Sequence, residues 1–110
     1  MNETARTALK LFGGTSVMKA MLGAKDIFYS NEDNSFQFKF KGSKTANYFK
    51  MSYDEGKDLF NLEFGKISKK KDKDLGIMLP DYKVVKILEG VYIDQVIELF
   101  EKITGLYTRL

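Results

Sequence analysis

The chain has 110 residues, the length of one small domain, and contains no His, Cys or Trp and a single Pro. Those zeros exclude disulfides, thiolate nucleophiles, imidazole metal ligands and Ser–His or Cys–His triads, while 44% hydrophobic and 14% aromatic residues exclude a disordered chain. The net charge of +3 is uneven: residues 39–73 hold ten Lys against five acids, residues 1–38 are neutral, and residues 74–110 carry −2. A basic middle segment favours an anionic partner.

The chain opens on a helix. Asn2 and Thr4 are candidate N-caps, Ala5, Ala8, Leu9 and Phe12 form one apolar stripe, and Gly13-Gly14 end it. Residues 15–25 read equally as a short helix or a buried strand, because a short apolar run has no decisive period. From Ile27 the period becomes two. Ile27–Tyr29 is a short strand, and Asn31–Asn34 is a turn. Phe36, Phe38 and Phe40 then alternate with Gln37, Lys39 and Lys41; Phe49, Met51 and Tyr53 alternate with Tyr48, Lys50 and Ser52; Phe60, Leu62 and Phe64 alternate with Asn61 and Glu63. Ten of the fifteen Phe and Tyr lie between Phe28 and Phe64, so the core is expected there.

Residues 68–81 break this pattern with a charge run, the apolar patch Leu75–Leu79 and the only Pro. They are expected to form a long exposed loop. Tyr82–Leu88 reads as a last strand. Tyr92, Val96, Leu99, Phe100 and Ile103 mark a C-terminal helix stopped by Gly105. The expected fold class is α+β over residues 1–110: an antiparallel meander of about five strands, packed on N- and C-terminal helices.

No catalytic residue, metal site or cofactor emerges. Asp54, Glu55 and Asp58, and Glu32 and Asp33, fall in solvated turns. Asp72–Gly76 lacks the glycine and glutamate positions of a calcium loop. Ser16-Val17-Met18-Lys19 matches S-x-x-K without its companion motifs. Gly13–Ser16 would offer backbone N–H groups to an anion only if a helix began at Thr15, and the glycines serve more simply as a helix stop.

Two binding surfaces remain. Lys39, Lys41 and Lys50 share the outward sheet face with Tyr48, and Lys66, Lys69, Lys70, Lys71 and Lys73 extend it; a basic surface with an aromatic suits single-stranded nucleic acid. Leu75, Ile77, Met78 and Leu79 offer an apolar anchor for a protein partner, and an open sheet edge offers another, including to a second copy of the chain. No uncharged stretch exceeds the eight residues Leu11–Met18, and the first residues are not a secretory leader. A non-enzymatic, cytoplasmic protein without a membrane segment is therefore expected.

Gly13-Gly14, Met21, Gly23-Ala24-Lys25-Asp26, Glu89-Gly90-Val91-Tyr92, Asp94, Phe100, Thr104–Thr108 and Leu110 resemble a family of small uncharacterised proteins from bacteriophages and prophages. The ending GVY-x-D…F…TGLYT-x-L is its most specific part. The resemblance implies a phage or mobile-element origin, with the host cytoplasm as the location of a phage-encoded chain, and no settled activity. Its matched residues read as helix stops and packing, with Tyr92 and Phe100 in the latter role.

Overall fold

The computed structural model describes residues 2–108; Leu110, the last residue of the C-terminal resemblance, lies outside them. Helices α1 (Glu3–Phe12) and α2 (Thr15–Leu22) precede strands β1 (Lys25–Ser30), β2 (Ser35–Lys39), β3 (Tyr48–Asp54), β4 (Leu59–Asp72) and β5 (Ile77–Val91). A 3-10 turn at Ile93–Gln95 leads into α3 (Val96–Thr104). The five strands form one sheet in the order β1-β2-β3-β4-β5, every neighbour antiparallel. The expected α+β meander, with helices at both ends, is the observed fold.

The open choice at residues 15–25 resolves as helix through Leu22. Gly13 and Gly23 close the two N-terminal helices in the left-handed region, at φ 84° and 60°. Asn2 caps α1: its Oδ1 accepts from the Ala5 N–H at 2.7 Å. Its Nδ2 donates to the carbonyls of Ser30 and Ser35, which ties the helix start to the β1–β2 turn.

Alternation put one apolar face under the helices. Phe36, Phe38, Phe40, Phe49, Met51, Leu62 and Phe64 are all buried there, against Phe12, Met18, Leu22, Val96 and Phe100. The core is a cluster of edge-on and tilted aromatic contacts; Phe12 meets Phe38, Phe49 and Phe100 edge-on at centroid distances of 5.3, 5.7 and 5.1 Å. Tyr92 differs from its expected place. It precedes α3, is 60% exposed, and its N–H donates to the Gln95 side chain. The TGLYT segment is a helix ending: Gly105 takes φ 74°, Leu106 donates to Thr104, and buried Thr108 donates twice to Glu101.

Residues 68–81 are mostly exposed, but they are not the expected loop. β4 runs to Asp72 and β5 starts at Ile77. The connection is a tight turn in which Asp72 Oδ1 accepts from Asp74 and Leu75, and Gly76 adopts φ 66°. β3 pairs with β4 only as far as Gly65. Beyond that point the Asn47 side chain substitutes for a strand, donating to the Ile67 carbonyl at 2.8 Å and accepting from its N–H at 2.7 Å. Residues 68–81 then continue as a two-stranded arm, paired only within itself.

Candidate binding surface on the outer sheet face and arm

Residues directly opposite in an antiparallel pair share a face. The register therefore writes the outer face row by row. One row reads Phe28, Gln37, Lys50, Glu63, Ile87, and the next reads Lys25, Lys39, Tyr48, Gly65, Val84. Tyr82 lies opposite Ile67 one row further on.

Tyr82 organises this face. Its ring lies across Gly65, where any added methyl group would collide with it. It meets Tyr48 edge-on at 5.4 Å, and its hydroxyl donates to Glu63 Oε2 at 2.5 Å. Burial, followed by the nearby carboxylates Glu63 and Asp33, pushes the Tyr48 phenol up to about 12. The Tyr82 phenol is raised further, by burial and by donation to Glu63. An open hollow of about 480 Å³ lies between the face and the arm, lined by Lys39, Tyr48, Glu63, Ile67, Pro80, Asp81 and Tyr82.

The lysines expected on this face divide into two groups. Lys39 pairs with Asp26 at 3.1 Å and Lys50 with Asp33 at 2.8 Å. The Lys50 hydrogen bond, with one from Ser35, holds the Asp33 carboxyl below its usual value. Lys41 stands outside the strand, since β2 ends at Lys39; its N–H donates to the Leu22 carbonyl and its stem lies over Gly23. Tyr48 is covered by Tyr82 and so is not an open stacking platform. Both central lysines of the sheet face are therefore ion-paired.

The second group lies on β4, the arm and its turn. Lys66 donates to the Lys44 carbonyl at 3.4 Å and sits directly opposite Lys83. Lys69, Lys70, Lys71 and Lys73 are exposed along the arm, as are Leu75, Ile77, Met78 and Leu79. Sequence reasoning missed the rest of the apolar set: Tyr82, Val84, Val85 and Ile87 continue the exposure down β5. The available signal was a Val- and Ile-rich run without period-two alternation.

Among the described residues no cluster of acidic side chains could hold a metal ion, and no helix is long and apolar enough to cross a membrane. No protein-family model matches the chain, and neither a curated protein nor a solved structure matches it.

Proposed function

We propose that the chain is a small non-enzymatic binding module that docks on another protein through β5 and the arm. One observation carries this. β5 is a fifteen-residue strand at the edge of the sheet, and seven of its large hydrophobic residues (Ile77, Met78, Leu79, Tyr82, Val84, Val85 and Ile87) are 39% to 55% exposed. Large apolar side chains left exposed along a strand mark an interaction site. A free edge adds backbone donors and acceptors for strand addition, while the side chains supply specificity. The other edge, β1, is six residues long and irregular between Lys25 and Phe28, which suits it poorly to strand addition. The phage-type resemblance fits this reading, with a host factor or the chain itself as the class of partner.

A photo-crosslinking residue placed at Val84, and separately at exposed Lys19 on α2, tests the reading in the cells that make the chain. A discrete protein adduct at Val84 and none at Lys19 is expected. Equal labelling at both positions overturns it.

A second reading, nucleic-acid binding, moves from the sheet face to the arm. It is favoured by Lys66 facing Lys83, because like charges directly opposite repel and a phosphate between them would relieve the cost. Residues 66–86 hold seven Lys against three Asp, and a two-stranded ribbon fits a duplex major groove. In gel shifts on single- and double-stranded DNA, affinity is expected to fall steeply with salt. Lys66→Gln with Lys83→Gln should weaken binding, and Lys39→Gln should not. No shift at low salt removes this reading.

A further inference from the structure

We infer that the β5 edge is built to receive the β5 edge of a second copy of this chain, antiparallel, with the twofold axis at Tyr82. The inference rests on the protein-docking reading above and names its partner. Residues 66–73 of β4 and the turn hold five Lys and one Asp, but β5 carries Asp81, Lys83, Lys86 and Glu89, net zero. The positive charge of the arm therefore lies mostly away from the free edge, and the edge itself does not repel its own copy.

The order of these charges then selects a register. In a twofold antiparallel pair, one residue faces its own copy and the residues on either side face each other crosswise. With Tyr82 at the axis, Asp81 of each chain faces Lys83 of the other, so two opposite-charge pairs form. Moving the axis to position 81 puts Asp81 on Asp81, and moving it to position 83 puts Lys83 on Lys83. Opposite charges across strands stabilise and like charges destabilise, so both neighbouring registers are disfavoured. The same register sets Pro80 against Val84, both on the outer face, and so covers apolar surface.

Two features would defeat a longer pairing and limit this one. Pro80 has no N–H to give, and β5 carries an extra residue between Val84 and Lys86 opposite Gly65 and Phe64. Both are devices that blunt an edge against arbitrary strands. They leave the segment around Tyr82 usable. The Tyr82 ring does not obstruct it, because the ring turns back over Gly65. The arm also has a reason to be covered, since a two-stranded ribbon is marginal in water by itself.

The experiment is a charge swap read by sedimentation over a concentration series. The wild-type chain is expected to show a reversible monomer–dimer equilibrium. Asp81→Lys places like charges against Lys83 twice, and Lys83→Asp does the same against Asp81; each alone should weaken the dimer about tenfold or more. Mixing the two variants should restore association as a heterodimer, which a misfolded variant could not do. The double variant Asp81→Lys, Lys83→Asp should recover the homodimer.

A wild-type chain that stays monomeric at high micromolar concentration, or a dimer indifferent to the swaps, overturns the inference. A monomer that still gives the Val84 adduct with a different protein leaves the docking reading standing and removes only the second copy. Loss of both removes both.

Discussion

Phe100→Ala is expected to lower folding stability by about 3–5 kcal/mol, the cost of emptying a large aromatic site in a close-packed core. The reason is the position of the ring. Phe100 is fully buried, and its centroid lies 5.1 Å from Phe12, 5.2 Å from Phe40 and 5.3 Å from Phe49, with Phe64 and Phe38 at 6.0 and 6.1 Å. Those partners come from α1, β2, β3, β4 and the segment after β2, so one side chain of α3 joins both layers of the fold. Neighbouring rings cannot all close the void, because each is held by others in the same cluster. A domain of this size is worth roughly 5–15 kcal/mol in total, so the loss is a large share of it. Urea unfolding measures it. Phe28→Ala is the matched control, since Phe28 is 52% exposed on the opposite face, and it should change little. A loss for Phe100→Ala of no more than about 0.5 kcal/mol, an ordinary surface effect, would show that α3 is not part of the cooperative core.

The same packing explains how much was legible in the sequence. β2 and β3 could be read directly, because Phe36, Phe38, Phe49 and Met51 face the helices while Gln37, Lys39, Tyr48 and Lys50 face out. Alternation exists only where a strand has an inside. The arm has none, so Lys69-Lys70-Lys71 and Ile77-Met78-Leu79 run without a period and read as loop, although both are strand. Its turn signal, Asp72 through Gly76, was present but lay in the middle of that run. Helix α2 stayed ambiguous for a different reason. Eight residues between glycines hold too little of any period.

The candidate site was partly legible on the same terms. The face occupied by Lys39 and Lys50 followed from parity. Their carboxylate partners did not, since they depend on where the chain places two acids distant in sequence. Asp26 takes φ 51° in the irregular part of β1, and Asp33 lies in the β1–β2 turn. Neither position is a strand register that pattern alone could assign. The exposed residues Val84 and Ile87 read as strand, and nothing in their type said that no further strand would cover them.

Gly65→Ala tests the feature that shapes the outer face, and it is expected to cost about 1–3 kcal/mol, in the range of core overpacking. Gly65 is buried within β4 and its φ is ordinary for a strand, so backbone strain is not the cause. The cause is the Tyr82 ring, which occupies the space a methyl group needs. To admit the methyl, the ring must swing off, giving up its edge-on contact with Tyr48 and its hydrogen bond to Glu63. The sign should reverse in a Tyr82→Ala background. There the three atoms that crowd the added methyl are gone, and alanine in a strand interior is favoured over glycine by up to about 1 kcal/mol. A double-mutant cycle on thermal or urea unfolding therefore should show strong coupling between positions 65 and 82. The phenol supplies an independent readout: in Gly65→Ala the Tyr48 ring loses its cover, so its ionisation should move down from about 12 towards the ordinary value of 10. Additive effects at the two positions, with the Tyr48 titration unmoved, would mean that Tyr82 does not hold this face together. If the cycle couples as expected, the arm's base is fixed by a glycine and a tyrosine packed across two strands, and β5 is presented as a rigid edge.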